Sequence, residues 1–398
     1  MQPKQRVALA LVSATIFARP DAEPLRDGVV VIEDERIAAV GPRVSTAVPP
    51  DAQILHCSGS TITAGFWNSH VHFFERKWMN ARELPPDELE TQLREYLQYG
   101  FTSVFDLSSD RINTQVLRER IETGQVDGPR ILTTGEGLVP AGAVPDEVVR
   151  RMMGIMDTAM PQVHAADHVA DAVQTLLENG VDGVKFFLSG PPSSAAQALS
   201  QDVIAPGVAA AHKRNKPVFA HVNTSQDVIT ALRSGVDVVA HTTPNSGTWD
   251  DEILALVRKS GAGLTPTLNL WKTYLRHDRI SMQDRLISAA LAQLRAWIDA
   301  GGEVIFGTDA GAVDIDPLPE YRLMSRAGMT FEQILTSLTT APCRRFGESR
   351  HGRVAEGYVA DLNVLRGDPC LDIGALADVR YAIRNGKIVY GDGLATDG

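Results

Sequence analysis

Eight short apolar runs between residues 61 and 340 constrain the fold of this chain more than any other feature. They are rich in β-branched residues and read TITAGFW, GFTSVFDL, PRILTTG, VDGVKFFL, PVFAHV, VDVVAHT, AGLTPTL and EVIFGTD. Segments of helical periodicity lie between them, several ending in the glycine that commonly closes a helix. Alternating strands and helices form right-handed βαβ units, and eight of them is the number in a barrel. The sequence therefore predicts an α/β fold with a (β/α)8 TIM barrel over residues 61–345.

The two ends of the chain show a different pattern, in which short strands are separated by turns. DGVVVIEDERIAAVGP lies before the barrel, and GRVAEGYVADLNVL and VRYAIRNGKIVYGDG follow it. Asn385 and Gly386 are typical of a tight hairpin turn. Because unpaired sheet edges promote aggregation, we expect the two ends to pair with each other. The prediction is one small β-sandwich domain composed of residues 1–60 plus 346–398.

Composition and charge exclude several kinds of partner. The net charge is -11, and no Lys/Arg cluster could neutralise a row of phosphates or a membrane surface, so we expect neither nucleic acid nor membrane as a partner. Cys57, Cys343 and Cys370 form no CxxC pattern, which argues against a disulfide framework and favours a reducing, cytoplasmic location. The start, MQPKQRVALALVSATIFA, superficially resembles a signal peptide, but its continuation favours a strand.

Polar side chains at the ends of five predicted strands are the candidate site. His70 and His72 end the first strand and point to the same side, because alternate residues of a strand do so. The other four groups are Lys185, His221, His241 and Asp309, at or near the ends of the fourth, fifth, sixth and eighth strands. Each has an ordinary explanation on its own: a polar strand end, an ion-paired lysine, core histidines or a helix N-cap. Their convergence on one mouth predicts a metal site, and the absence of thiolates favours a catalytic one.

The order HxH, Lys, His, His, Asp on such a barrel resembles the metal-dependent amidohydrolase superfamily. The resemblance covers nearly the whole chain, including DGVVVIEDERIAAVG, GRVAEGYVADLNVLRGDP and IRNGKIVY at its ends. Within the superfamily, the chain is most similar to the imidazolonepropionase-like branch that includes Xaa-Pro and Xaa-Arg dipeptidases. Two residues of TAGFWNSHVH depart from the family pattern: Ala64 stands where Pro is usual, and Asn68 where Asp is frequent.

This resemblance implies two divalent metal ions, zinc first, with Mn, Co, Ni or Fe as alternatives. It places one ion on His70, His72 and Asp309 and the other on His221 and His241, with Lys185 bridging them after carboxylation by CO2. Asp309, Lys185 and His241 would be the catalytic residues, and Asp309 would pass a proton from water to the leaving nitrogen. If Lys185 forms only an ion pair, the centre holds a single metal ion.

The same resemblance predicts hydrolysis of an amide-type C-N bond by metal-activated hydroxide, in a small molecule such as a dipeptide or an N-acyl amino acid. A cyclic amide (imidazolone- or hydantoin-like) or lactone hydrolase is the alternative, and a non-catalytic assembly protein with the same barrel is the minor one. We expect a homo-oligomer, with a symmetric dimer as the commonest form.

Residues that follow the strands, or lie in two long excursions, are candidate substrate contacts. The excursions follow the third and seventh strands, so we expect them at the catalytic face as lid and specificity elements. The candidates are Trp67, Phe73, Ser189, Asn223, Asn245, Asn269, Trp271 and Tyr274. For the aromatic residues among them, a packing role is an equal alternative.

Overall fold

The computed structural model describes residues 8–143, 160–190, 196–274 and 280–391. Part of each long excursion, residues 144–159 and 275–279, therefore lies outside the described residues. Within the described part, no helix is both long enough and apolar enough to cross a bilayer.

Strands from both ends of the chain form one mixed sheet of eight strands. The order is β18-β17-β16-β5-β1-β2-β3, and β4 also pairs with β1. The strands are β1 (Leu9–Ile16), β2 (Leu25–Glu33), β3 (Arg36–Pro42), β4 (Gln53–His56), β5 (Ser60–Ala64), β16 (Leu362–Arg366), β17 (Val379–Arg384) and β18 (Lys387–Gly391). The two ends meet where β5 pairs antiparallel with β16, with Ile62 opposite Val364. A β-sandwich and the exact domain boundaries stay predictions.

All eight predicted barrel strands are present and parallel to their neighbours. They form two sheets, ordered β6-β7-β8 and β11-β12-β13-β14-β15. Their bounds, together with those of a short two-stranded sheet in the first excursion, are β6 (Phe66–Val71), β7 (Phe101–Asp106), β8 (Arg130–Thr133), β9 (Val139–Pro140), β10 (Gln162–Val163), β11 (Val184–Phe187), β12 (Val218–His221), β13 (Val238–Ala240), β14 (Gly263–Thr265) and β15 (Glu303–Val304). The two sheets do not join into one closed ladder, although backbone hydrogen bonds cross both seams. Ser69 N donates to Phe306 O, and Leu138 N donates to Lys185 O.

Helices follow the strands, as the periodicity predicts. They are α1 (Pro86–Leu97), α2 (Arg111–Glu122), α3 (Ala166–Glu178), α4 (Gln201–His212), α5 (Ser225–Arg233), α6 (Asp251–Ser260), α7 (Leu268–Tyr274), α8 (Ile280–Asp299), α9 (Leu318–Arg326), α10 (Phe331–Leu338) and α11 (Thr340–Arg345). Local chemistry fixes their ends: Thr224 and Asp227 form a capping box at the start of α5, and Gly261 ends α6 with φ 67°. The result is an α/β architecture of the TIM-barrel type.

The first apolar run, TITAGFW, does not form a single strand. Ser60–Ala64 belongs to the end sheet as β5, and β6 begins only at Phe66. Gly65 separates them, and a Cβ at this position would overlap the side chain of Thr102. The chain therefore passes from one sheet to the other where only glycine fits, and His70 lies inside β6 rather than beyond it.

The hydrophobic core lies between the barrel strands and their helices. Leu93 on α1, Val104 on β7, Leu264 on β14 and Leu294 on α8 are fully buried in it. Burying a side chain of this size stabilises the fold by about 1.5–3 kcal/mol. A rigid packed core beneath the strand ends fixes where the polar residues at those ends are placed.

Candidate metal centre

Five strand ends bring the predicted ligands together at one mouth of the barrel. The Nε2 atom of His72 lies 2.8 Å from Asp309 Oδ1, and that of His70 lies 3.2 Å from the same oxygen. One potential ligand atom from each of these three residues lies within 4.8 Å of the others. The ring centroids of His70 and His241 are 4.9 Å apart, and those of His241 and His221 are 4.7 Å apart. The four imidazoles and the carboxylate therefore form one continuous cluster.

Two buried nitrogen atoms at this mouth, His72 Nδ1 and Lys185 Nζ, have no hydrogen-bond partner among the described residues. His70 Nε2 has only its contact of 3.2 Å with Asp309 Oδ1. A buried polar atom without a partner costs about 1–3 kcal/mol, so folded proteins seldom leave several of them in one place. Orphaned nitrogens beside a carboxylate are what a site built to hold a cation would show in its metal-free form, so these residues fit a divalent ion.

The ionisation states at the mouth also suit a cation. Burial lowers the pKa of His70 to about 3 and that of His221 to about 4, and it holds the pKa of His241 well below its usual range. Burial alone would raise the pKa of Asp309, but the imidazoles of His70 and His72 outweigh it and hold that pKa well below its usual range. At neutral pH the neutral imidazoles of His70, His221 and His241 accompany the anionic carboxylate of Asp309, and both kinds of group are good ligands for a divalent metal.

Lys185 lies on β11 and is only 1% exposed. Burial lowers the pKa of its ammonium from 10.5 to about 7, against the opposing effect of Asp309. Its Nζ lies 5.5 Å from the centre of the Phe187 ring, a contact that gives a cation only weak compensation. A large fraction of Lys185 is therefore a neutral, nucleophilic amine near pH 7.

Hydroxyl and amide groups orient the histidine rings. Thr267 Oγ1 lies 2.6 Å from His241 Nδ1, and Asn223 Oδ1 lies 3.0 Å from His221 Nε2. Partners of this kind set which ring nitrogen carries the proton and which offers a lone pair. His241, Thr267 and Asp309 have left-handed φ values of 78°, 44° and 64°. Such conformations are unfavourable for non-glycine residues and cluster at functional sites, where the surrounding structure maintains them.

The candidate substrate contacts occupy different environments. Asn223 lies at the mouth, where its Nδ2 donates to Ser189 Oγ at 3.1 Å and its Oδ1 faces His221. Ser189 in turn donates to Asp227 Oδ2 at 2.7 Å. Trp271 donates its Nε1 proton to Thr242 Oγ1 at 2.8 Å, next to His241. These contacts keep Asn223, Ser189 and Trp271 close to His221 and His241.

Other candidates lie further away or have structural partners. Trp67 lies three residues before His70. Its ring packs on that of Phe346 with the centroids 5.4 Å apart, so the structure gives it the packing role. Asn245 is exposed in a short 3-10 helix. Asn269 uses its backbone N–H to bond Glu320 at 2.7 Å. The side chain of Tyr274 lies outside the described residues.

A cavity of about 250 Å3 opens beside His72. Phe74, whose ring stacks on that of His72 at 4.7 Å, forms part of its wall. Other lining residues are Phe73, Met79, Ser108, Glu136 and Met160. The lining also includes Asn80, Ser109, Asp110 and Asn113, so it combines apolar side chains with polar and charged ones. A volume of this size suits a small group such as one amino-acid side chain.

Sequence reasoning missed the contribution of Thr267 and Glu320. The TPT segment places Thr265 and Thr267 two residues apart at a strand end, the same spacing that marked His70 and His72, so a signal for Thr267 was available. Glu320 had none, because its partners Leu268 and Asn269 are about fifty residues earlier in the chain.

Comparison with known proteins gives consistent matches over nearly the full length. A family model described as "Amidohydrolase family" matches residues 61–391. An ochratoxinase from Aspergillus niger is 25% identical over 436 aligned residues, covering 97% of this chain and 88% of that protein. A solved Xaa-Pro dipeptidase with bound methionine superposes with a TM-score of 0.81 at 21% identity, covering 96% of this chain and 100% of the other. A prolidase complexed with N-methylphosphonate-L-proline gives 0.78 at 26% identity, covering 96% and 99%.

Proposed function

This chain belongs to the amidohydrolase family, and from that premise we propose that it hydrolyses the amide C-N bond of a dipeptide or an N-acyl amino acid with the help of two divalent cations. The family and the relatives support a hydrolase acting on an amide bond. The observation that carries the finer proposal is the buried cluster in which the Asp309 carboxylate lies 3.2 Å from His70 Nε2 and 2.8 Å from His72 Nε2.

Six residues would hold the two cations. His70, His72 and Asp309 would bind one, His221 and His241 the other, and Lys185 would bridge them. When bound, divalent ions of this kind polarise a carbonyl group and lower the pKa of water toward neutrality. Zinc is the first candidate because imidazole and carboxylate are its usual ligands in catalytic sites.

Lys185 would become a ligand through its neutral amine. Nζ attacks the carbon of CO2, a new N-C bond forms, and the displaced proton leaves to solvent, which gives a carbamate with a negative charge. The buried amine is suited to this reaction because its pKa of about 7 leaves a lone pair free at neutral pH. A protonated Lys185 would instead repel cations held by the neighbouring imidazoles.

Asp309 is placed to move the proton during hydrolysis. Its carboxylate is 5% exposed and anionic at neutral pH, so it can accept the proton of an attacking water molecule. The same carboxylate would then return that proton to the leaving nitrogen, so that the amine departs neutral. The Nε2 atoms of His70 and His72 lie 3.2 and 2.8 Å from this carboxylate.

The cavity beside His72 supports a small substrate. A volume of about 250 Å3 accommodates one side chain of a dipeptide or the acyl group of an N-acyl amino acid. Phe73, Phe74, Met79 and Met160 in its lining would contact an apolar part of the substrate, and Asn80, Asp110, Asn113 and Glu136 a polar part. The Xaa-Pro dipeptidase and prolidase among the structural relatives are named for substrates of this size.

Metal analysis and a substrate panel test the proposal together. We expect the purified protein, after zinc supplementation, to retain two ions per chain and to hydrolyse members of a panel of Xaa-Pro and Xaa-Arg dipeptides and N-acyl amino acids. Turnover of only hydantoins or lactones would refute the proposed substrate class. A protein that retains no divalent ion and hydrolyses nothing would support a non-catalytic role instead.

Matched variants identify the residues responsible. We expect Lys185→Ala to lose one of the two ions and Asp309→Asn to lose turnover, with the fold intact in both by circular dichroism. The controls are Lys213→Ala and Asp251→Asn, which alter exposed residues of the same types on the outer helices. Full activity in Asp309→Asn would contradict the proton-transfer role, and two retained ions in Lys185→Ala would contradict the bridge.

A further inference from the structure

Asn68 and Thr308 form a buried polar pair across the seam between the first and last barrel strands. Asn68 lies on β6 two residues before His70, and Thr308 directly precedes Asp309. Asn68 Nδ2 donates to Thr308 Oγ1 at 2.7 Å, and Thr308 N donates to Asn68 Oδ1 at 3.1 Å. The two residues are 0% and 2% exposed. Each partner therefore lies next to a different metal ligand.

The orientation of the Asn68 amide is dictated by its partner. The backbone N–H of Thr308 can only donate, so the amide oxygen must face it and the amide nitrogen must face the hydroxyl. The same oxygen also accepts a longer hydrogen bond of 3.4 Å from His70 N, and Thr308 Oγ1 accepts one of 3.1 Å from Ala310 N. The pair thus contacts the backbone N–H of His70 and the backbone N–H groups on both sides of Asp309.

The backbone at this seam is closely packed. Asp309 N donates to His70 O at 2.8 Å, and His72 N donates to Ala310 O at 2.7 Å. A Cβ at Gly307 would lie 2.6 Å from His70 Cβ, and a Cβ at Gly311 would lie 2.9 Å from His72 Cβ. Glycines on both sides of Asp309 therefore allow the approach, and the Asn68–Thr308 pair fixes its register.

We infer that the Asn68–Thr308 pair is a positioning device for the metal ligands, which sets the separation between His70 and Asp309 in advance of metal binding. The inference rests on the proposed function in one respect, because it assumes that these ligands take up a divalent cation. Neither Asn68 nor Thr308 is one of the residues that would hold the cation. Their effect passes through the backbone of the ligands that adjoin them, in the way that groups behind metal ligands commonly tune affinity.

The neutral amide at position 68 has a consequence of its own. An aspartate at position 68 could accept one hydrogen bond from the backbone N–H of Thr308 and another from its hydroxyl group, so the geometry of the pair would survive. It would, however, bury a second negative charge near Asp309, which is costly without a cation and favourable with one. Asn68 therefore lets the metal-free protein keep its ligands in register without that repulsion.

Zinc affinity of the metal-stripped protein tests the inference without reference to activity. Zinc is titrated against a chromophoric chelator, and thermal stability is measured in parallel. We expect Asn68→Ala and Thr308→Val each to weaken zinc binding by about 10-fold or more, and the double variant to weaken it no further than the stronger single one. Thr308→Ser, which keeps the hydroxyl, should bind zinc like the wild type. Asn68→Asp should bind it more tightly while the metal-free melting temperature falls.

Asn363→Ala is the matched control. Asn363 is a fully buried amide on β16 that donates to Gly100 O at 2.9 Å, away from the ligands. We expect this variant to lose thermal stability while its zinc affinity stays within about twofold of the wild type. If Asn68→Ala does not fold, the comparison of Thr308→Val with Thr308→Ser carries the same test.

The outcomes distinguish a failure of the positioning role from a failure of the proposed function. Wild-type zinc affinity in Thr308→Val would overturn the positioning role and leave the proposed function standing. An equal loss of affinity in Asn363→Ala would also overturn it, because general destabilisation would then explain the effect. A wild-type protein that binds no zinc would overturn both the inference and the proposed function.

Discussion

Glu320 is a buried carboxylate whose ionisation should set part of the pH dependence of stability. It lies on α9, and its two oxygens accept the backbone N–H groups of Leu268 and Asn269 at 2.8 and 2.7 Å. These are the first amides of α7, which have no partner within the helix. Burial nevertheless outweighs these two bonds and raises the pKa of Glu320 from 4.5 to about 7.

The sign and size of the effect follow from proton linkage. The folded protein keeps the Glu320 proton up to about pH 7, whereas the unfolded chain releases it near 4.5, so the folded state binds more protons between these values. The free energy of unfolding therefore falls as pH rises through this range. With 1.36 kcal/mol per pKa unit, the loss between pH 5 and pH 8 is about 2.5 kcal/mol. Glu320→Gln cannot titrate and escapes this loss, but it leaves one backbone N–H unpaired, at a pH-independent cost of about 1–3 kcal/mol.

Melting temperatures of the wild type and Glu320→Gln at pH 5 and pH 8 measure the difference directly. An unfolding entropy of about 0.8 kcal/mol/K for 398 residues converts 2.5 kcal/mol into a relative shift of about 3 °C in favour of the variant at the higher pH. Other titrating groups cancel because they are common to both proteins. Glu332→Gln, an exposed position on α10, is the control. A difference between wild type and Glu320→Gln that is the same at both pH values would refute the reasoning.

Two further predictions concern the mouth of the barrel. Thr267→Val removes the hydroxyl that lies 2.6 Å from His241 Nδ1, so we expect zinc affinity to fall by about 10-fold or more when it is measured by competition with a chelator. An unchanged affinity would show that Thr267 does not orient the His241 ring. Met79→Trp fills part of the cavity of about 250 Å3 beside His72, so KM should rise more for dipeptides with bulky side chains than for those with small ones. An equal change in KM for both kinds of dipeptide would show that the substrate side chain binds elsewhere.

The elements of the barrel could be predicted from the sequence because their signals are local. Each strand is a short β-branched run, and each is followed by a segment of helical periodicity, so the order of elements depends on neighbouring residues only. The spacing of His70 and His72 in a strand placed both on one side, and the structure brings both within 3.2 Å of Asp309. The assignment of the other ligands to a second cation stays a prediction.

Features that depend on contacts between distant residues could not be read in this way. TITAGFW looks like one strand, but the close approach of Thr102 to Gly65 divides it between two sheets. Trp67 follows an apolar run like a mouth residue, yet its ring packs on Phe346, which comes from the other end of the barrel sequence. In both cases a partner far along the chain decides the outcome, and no local pattern specifies that partner.

The mouth of the barrel combines features that are each unfavourable in a metal-free protein. His241, Thr267 and Asp309 hold left-handed backbone conformations, and His72 Nδ1 and Lys185 Nζ are buried without a hydrogen-bond partner among the described residues. Sequences normally avoid such conflicts because local and global preferences reinforce one another. A divalent cation would satisfy the imidazole lone pairs and the Asp309 charge at once, so its binding would relieve what folding alone leaves unfavourable. The conflict is confined to the strand ends, while the core beneath them is conventionally packed, which is the distribution expected when a rigid scaffold maintains a binding site.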